Sequence, residues 1–323
     1  MPAQSYGRIV VCGGGCYGGY YVRQLARARA AGALQCTEII VVDRDPACRA
    51  AQLVQAISDG DTIGMAEHGW RMQRAERADG SDARVADADA DARIVGRSSG
   101  DEYCGLPIRF IASDWAAFFA RWFVEAIEMA GLDAIHVPRD AVVPSPLMPH
   151  LLADWVASRL VVHRAGAVVT RVPLSSTPET PWQRSAPDLA HYASFATWMC
   201  PINCIEPPRC PETRGPRDWT MPAAVRVAAG EAASAGAPYD VIALFHTTHR
   251  VYGVGMFDVA AARATDLAIA AAHDHVRLRV LVASVSHCHG ALAELLAEAA
   301  CSDAADTGGA EPSVPRDVAG LLP

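Results

Sequence analysis

Apolar residues recur along the chain with two different periods, which divide it into alternating strands and helices. Short β-branched runs such as Arg8–Cys12 and Glu38–Val42 have the continuous apolar character of buried parallel strands. Longer segments such as Trp115–Ala130 repeat large apolar side chains at helical spacing. The remaining predicted elements are helices 17–31, 47–57, 151–160, 259–272 and 291–300, strands 106–112, 133–137, 239–245 and 276–285, strand character over 161–174, and a poor helix or linker over 223–237. Strands that alternate with helices predict an α/β fold.

The first strand leads directly into a glycine-rich turn, in which Gly13, Gly15 and Gly18 have the spacing G-x-G-x-x-G. The first glycine permits a tight turn, the second lets a pyrophosphate approach the backbone, and the third lets the helix pack close to the sheet. Asp43 ends the second strand, where a carboxylate accepts hydrogen bonds from ribose hydroxyls. Strand, glycine turn, helix, strand and acid form the order of a dinucleotide-binding βαβ unit. The alternative to dinucleotide binding is that the glycines only form a strand-to-helix turn and bind no ligand.

The expected ligand of this turn is NAD, because a carboxylate at position 43 repels a 2′-phosphate, although the adjacent Arg44 leaves NADP possible. The Pro-rich loop after the strand at 133–137 is expected to border the nicotinamide. The predicted cofactor-binding residues are Gly13, Gly14, Gly15, Cys16, Tyr17, Gly18, Asp43, Arg44, Pro144 and Ser145.

Residues 8–45 resemble the Rossmann-fold NAD(P)-binding superfamily, notably the N-terminal domains of precorrin-2 dehydrogenase-like and TrkA-like proteins. The resemblance implies a mostly parallel sheet with helices on both faces over residues 1–165. Residues 78–100 are rich in Asp, Ala and Ser and are expected to be a disordered insertion. Residues 166–300 are expected to form a C-terminal α/β region, a loop-rich extension with a cysteine-rich loop at 199–219. Residues 301–323 are expected to be a disordered tail.

The composition of the chain excludes several classes of partner and of catalytic mechanism. The net charge is −8, which does not indicate a nucleic-acid or anionic-membrane partner. All 28 basic residues are arginine, which excludes a P-loop lysine and Schiff-base catalysis. The chain has no stretch of the length and apolarity of a membrane span or a signal peptide, so a cytoplasmic location is expected. Ten cysteines in such a location are not a disulfide framework.

Three cysteines of the cysteine-rich loop lie in an irregular, Pro-rich segment with the spacing C-x3-C-x5-C. A tetrahedral metal or a cubane cluster would need a fourth thiolate, for which Cys288 is the candidate. The Cys-Pro dipeptides favour an iron–sulfur cluster, zinc is the alternative, and packed structural thiols are the third possibility. The candidate ligands are Cys200, Cys204, Cys210 and Cys288.

Four histidines follow two predicted strands near the C-terminus and are candidates for proton transfer or for a separate mononuclear metal site: His246, His249, His287 and His289. The sequence therefore predicts an NAD(P)-binding redox protein, an oxidoreductase with an iron–sulfur or other metal centre. A small-molecule substrate or redox partner and a possible homo-oligomer are expected. The alternatives are a non-catalytic dinucleotide sensor with structural zinc or redox-switch cysteines, and a metal-chelatase or cofactor-assembly protein.

Overall fold

A computed structural model of the chain describes residues 3–58, 105–132, 139–145, 151–196, 204–272 and 274–299. The predicted insertion at 78–100, the strand at 133–137 and the tail at 301–323 lie outside these residues. The strands are β1 Gln4–Cys12, β2 Leu34–Asp43, β3 Ile108–Ala112, β4 Ala141–Val143, β5 Ala167–Val172, β6 Trp182–Ser185, β7 His191–Ser194, β8 Val241–His246, β9 Thr248–Val251, β10 Val254–Asp258, β11 Arg277–Val285 and β12 His289–Ala299. The helices are α1 Cys16–Ala30, α2 Arg49–Ser58, α3 Trp115–Leu132, α4 Leu151–His163, α5 Met221–Ser234 and α6 Val259–Ala271.

The first sheet has the strand order β3-β2-β1-β4-β10-β9. Its first four strands are parallel to one another, whereas β10 and β9 are added antiparallel at the β4 edge. Because the C-terminal halves of β1 and β2 are covered on both faces, residues 9–12 and 39–42 are buried and apolar without alternation. Ile9 and Val11 pack toward α1 and α2, while Val10 packs toward α3. The glycine turn therefore begins at a rigidly held point, the carboxyl end of β1.

The second sheet is mainly antiparallel, with the order β6-β7-β12-β11-β8 and with β5 also paired to β12. Among the described strands of this sheet, β8 and β11 form the one parallel pair, in which His246 lies opposite Val285. The C-terminal region that the sequence predicted as a loop-rich extension thus contains a six-stranded sheet.

The layers alternate between helices and sheets. Helices α1 and α2 cover the outer face of the first sheet, and α5 covers the outer face of the second. Helices α3, α4 and α6 lie between the two sheets and share one apolar core with both of them, including Phe123, Trp155 and Phe245. The described part of the chain is therefore an α/β protein with two mixed sheets and six helices. None of the described helices is both long and apolar enough to cross a membrane.

Two predicted elements were wrong. Residues 291–300 were predicted as a helix, but His289–Ala299 is the central strand β12 of the second sheet, paired with β11 on one side and with β5 and β7 on the other. Val142 and Val143, predicted as the start of the Pro-rich loop, belong to a fully buried strand, β4, beside β1. In both cases pairing with neighbouring strands overrides local preference.

Candidate functional site

The glycine turn is tightly packed on its inner side. Gly13 has a φ of +91°, a conformation that favours glycine, and its N–H donates to the carbonyl of Val42 at 2.8 Å. A Cβ on Gly18 would overlap the carbonyl oxygen of Gly13, and a Cβ on Gly14 would overlap the sulfur of Cys48. The turn therefore brings the start of α1 against the end of β1 at a distance that larger residues do not allow.

The outer side of the same turn is open. Gly15 and Cys16 are exposed, Tyr17 is half-buried, and no described heavy atom lies within 4 Å of a Cβ built on Gly15. Gly15 is the N-cap residue of α1, and no described side chain caps this helix end. Free N–H groups and the helix dipole make such an end favourable for an anion.

Asp43 lies next to the turn, as its position at the end of β2 predicts. Its Oδ2 accepts a hydrogen bond from the N–H of Gly14 at 2.7 Å, and its Oδ1 accepts one from the N–H of Asp45 at 2.9 Å. Each carboxylate oxygen has a second lone pair that remains available to a ligand hydroxyl. The indole of Trp115 covers Gly13 and donates to the carbonyl of Val42 at 2.7 Å, while Arg44 is exposed.

Pro144 and Ser145 directly follow β4 and are half-buried. Burial raises the pKa of the Cys12 thiol to about 12, opposed by a hydrogen bond with the backbone of Ser145. This bond places Ser145 beside the carboxyl end of β1, next to the glycine turn. Cys12 is protonated at neutral pH and is not a nucleophile.

A second group of polar side chains gathers around Glu206, which lies in the cysteine-rich loop. We call Glu206, His246, His249 and His287 the Glu206 cluster. The carboxylate Oε1 accepts a hydrogen bond from the backbone N–H of His287 at 3.1 Å and lies 3.8 Å from Nε2 of His249. Burial lowers the pKa of His246. The charge of His287 adds to this shift, and the charge of Glu206 opposes it. Three of the four predicted histidines therefore share one neighbourhood.

His289 belongs elsewhere. Its Nδ1 is hydrogen-bonded with Oγ of Ser194 on β7 at 3.2 Å, in the register that places these two residues opposite each other. His287 lies in the turn after β11, whereas His289 is the first residue of β12, so the two histidines of the His-Cys-His sequence have different partners.

Two thiols of the predicted metal centre, those of Cys210 and Cys288, lie near Arg217. Cys200 lies outside the described residues, and Cys204 is half-buried. Cys288 is buried, and its sulfur accepts a hydrogen bond from Nη1 of Arg217. Burial raises the pKa of Cys210, but hydrogen bonds with Thr213 and Glu212 and the charge of Arg217 outweigh it, so the net pKa is lowered. No group of three or more potential metal-ligating side chains forms within the described residues.

Two members of this site were absent from the predicted site residues. Glu206 stands in an Ile-Glu-Pro sequence with no distinguishing motif, and its φ of +54° is unusual for a glutamate. Arg217 is one of several arginines in its loop, and only its contact with Cys288 distinguishes it. Neither contact has a signal in sequence spacing.

The fold and these two sites define a two-sheet α/β protein with a glycine turn at the edge of one sheet and a histidine-rich cluster at the edge of the other. Residues 152–298 match the model of a family described as AF_1314_C, uncharacterized protein, C-terminal domain. The matched segment runs from α4 through β12. Comparisons with curated proteins and with solved structures gave no match.

Proposed function

We propose that the protein binds NAD(H) at the glycine turn and acts as an oxidoreductase on a small molecule. The observation that carries this proposal is the two-sided character of the turn. Its inner side is closed by Gly13 and Gly18, whereas its outer side, at Gly15 and the uncapped start of α1, is open in the described structure. A pyrophosphate requires such a bare backbone at a helix N-terminus.

The strand order supports a Rossmann-like arrangement of the first sheet. In the order β3-β2-β1-β4, strands β2 and β3 are added on one side of β1, and β4 is then added on the other side of β1. The strand order therefore reverses between β1 and β4. Ligands of such sheets bind beyond the carboxyl ends of the strands at this point. The glycine turn follows β1 and Ser145 follows β4, so both border this position.

Asp43 supports NAD rather than NADP. The N–H groups of Gly14 and Asp45 hold its carboxylate in place, so it does not need to reorganise to accept a ribose hydroxyl. A 2′-phosphate would meet a negative charge at this position. Exposed Arg44 is the feature that would relax the preference.

The Glu206 cluster supports proton transfer on the substrate side. Because β10 is antiparallel to β4, the β9–β10 hairpin that carries His249 extends past the carboxyl end of β4, and it packs against α1. Nδ1 of His249 is hydrogen-bonded to the carbonyl of Gly253 at 2.6 Å, which fixes the ring and makes Nδ1 the protonated nitrogen. Nε2 lies 3.8 Å from Oε1 of Glu206 and is the ring nitrogen left to exchange a proton with a substrate. When bound, the nicotinamide would supply or accept a hydride.

The test is calorimetric titration of NAD into the wild type and Gly15→Val. Because no described atom lies near a side chain at position 15, the variant should fold normally and keep its melting temperature. Wild-type binding that is lost in Gly15→Val supports the proposal. Unchanged NAD affinity in the variant, or no binding to the wild type, would refute it. Hydride transfer, followed as NADH absorbance with candidate substrates, separates an enzyme from a dinucleotide sensor.

A further inference from the structure

Three buried nitrogen atoms near the Glu206 cluster have no hydrogen-bond partner in the described structure: Nη2 of Arg217, Nε2 of His246 and Nε2 of His287. A buried polar atom without a partner costs roughly 1–3 kcal/mol, and more when it carries charge. Native proteins keep few such atoms, and each requires an explanation such as a ligand. The residues themselves are partly exposed, so the atoms lie close beneath the surface.

These atoms belong to one neighbourhood built from three segments. Arg217 donates to Cys288, the residue after His287, and its guanidinium lies 5.3 Å from the ring centre of Trp219. The Trp219 ring in turn lies 6.0 Å from the His287 ring. His246 interacts electrostatically with both His287 and Glu206. The group sits at the carboxyl ends of β8 and β11, the parallel pair of the second sheet, where α/β proteins place their ligands.

Arg217 is held in position by its other contacts. Its Nε donates to the carbonyl of Pro207 at 2.9 Å, and its backbone N–H donates to the carbonyl of Pro208 at 2.8 Å. The Trp219 indole lies against one face of its guanidinium. The remaining Nη2 is therefore aimed by the protein rather than free to seek solvent, and a guanidinium can only donate hydrogen bonds.

The donor set selects the class of ligand. A fixed guanidinium and two imidazoles can all donate, which matches an anion and opposes a bare cation. Glu206 supplies one negative charge beside Arg217, and Arg226 and Arg250 also act on His246 through their charges. A monoanion adds less repulsion here than a phosphate dianion does.

We propose that Arg217, His246 and His287 bind the carboxylate group of a small-molecule substrate. The oxidoreductase function proposed above defines what happens to that substrate, but carboxylate binding itself does not require NAD. The carboxylate would accept hydrogen bonds from Nη2 of Arg217 and from the two imidazole Nε2 atoms. This would place the rest of the substrate near His249 and Glu206.

The experiment is calorimetric titration of acetate and pyruvate, with inorganic phosphate and Zn²⁺ as competing probes. At least one carboxylate should bind the wild type, and Arg217→Gln should weaken that binding at least tenfold. Arg214→Gln is the matched control, because Arg214 is an exposed arginine of the same loop. Since Arg217 also supports the loop, His246→Gln and His287→Gln test the site independently, with exposed His275→Gln as their control. Each should weaken binding severalfold without a matching loss in melting temperature.

Several outcomes would overturn the proposal. They are no binding of either carboxylate, equal binding by Arg217→Gln, tighter binding of phosphate than of pyruvate, and Zn²⁺ binding that disappears in the histidine variants. The Gly15→Val variant separates this site from the dinucleotide site. If the wild type binds pyruvate but not NAD, the carboxylate site stands while the oxidoreductase proposal fails. If NAD binds and no carboxylate does, the carboxylate site alone fails.

Discussion

Asp43 holds the glycine turn from the neighbouring strand, because its Oδ2 accepts a hydrogen bond from the N–H of Gly14 at 2.7 Å. The same carboxylate accepts from the N–H of Asp45 through its other oxygen. A residue that sequence patterns assign only to the ribose thus also has a structural role before any ligand binds. Its two roles can be separated by substitution.

Asp43→Asn should weaken both the turn and cofactor binding. The amide has one acceptor oxygen, so its NH2 group must face one of the two backbone N–H groups. We expect a loss of about 1–2 kcal/mol in unfolding free energy and of about tenfold or more in NAD affinity, with reduced discrimination against NADP. Urea denaturation and calorimetry measure the two effects. Asp45→Asn is the control, because Oδ1 of Asp45 accepts from the nearby N–H of Ala47 and not from the glycine turn, and equal losses in both variants would contradict the assignment.

Gly18→Ala and Gly19→Ala should have opposite effects although the residues are adjacent. A Cβ at position 18 would overlap the carbonyl of Gly13, whereas no described atom lies within 4 Å of a Cβ at position 19. We expect Gly18→Ala to destabilise the protein by about 1–3 kcal/mol or more. Gly19→Ala should stabilise it by about 0.5–1 kcal/mol, since it lies inside α1. Thermal and urea denaturation of both variants check the difference, and a tolerated alanine at position 18 would show that α1 does not pack this closely.

Glu294 should give the second sheet a pH-dependent stability. Burial raises its pKa, but hydrogen bonds from Arg279, Tyr239 and Ser175 outweigh burial and lower the net pKa. A carboxylate with a lowered folded-state pKa stabilises the protein fully above its unfolded pKa, about 4.3, and loses this contribution as the pH falls through the folded value.

Glu294→Gln should therefore cost about 3 kcal/mol at pH 7, and its difference from the wild type should shrink below about pH 4.3. Urea denaturation at pH 7, 5 and 3.5 measures the change. Glu298→Gln is the matched control on the same strand, because Glu298 is largely exposed and its ion pair is with exposed Arg277. A difference that stays constant with pH would show that the ionised carboxylate is not what stabilises the sheet.

The iron–sulfur centre stays a prediction that spectroscopy can decide. Anaerobically purified protein should be brown and contain iron, and Cys204→Ser and Cys210→Ser should lower the iron content. Cys36→Ser is the control, because Cys36 lies on β2, away from the cysteine-rich loop. Zinc in place of iron would favour the alternative metal, and wild-type metal content in both loop variants would remove the centre.

The parts of the fold that could be predicted are those with a local signal. The glycine spacing, the two apolar runs and Asp43 lie within residues 8–45, and the structure has β1, α1 and β2 in that order. β12 failed because its sequence, rich in alanine, leucine and glutamate, has high helix propensity. Its strand conformation comes from three neighbouring strands and from the partners of Glu294, which are distant in sequence.

The Glu206 cluster shows the same limit at a candidate functional site. His246 and His287 were found because each follows an apolar strand, and the carboxyl ends of parallel strands meet at one edge. Glu206 and Arg217 come from an irregular loop whose path depends on contacts such as Arg217 with Pro207. No periodicity records such contacts, so Glu206, and the choice of Arg217 among the arginines of its loop, required the structure.

The β9–β10 hairpin, turned at Tyr252 and Gly253 by two positive φ values, brings a piece of the C-terminal region into the first sheet. A fragment cut at the boundary of the matched family segment, residue 152, would keep this hairpin but lose β4, the strand to which it is bonded. The backbone amides of β10 would then be unpaired and exposed, and an exposed strand edge promotes association between copies. The N-terminal fragment would likewise expose the edge of β4 that pairs with β10, so division of the gene at that boundary should yield two aggregation-prone products.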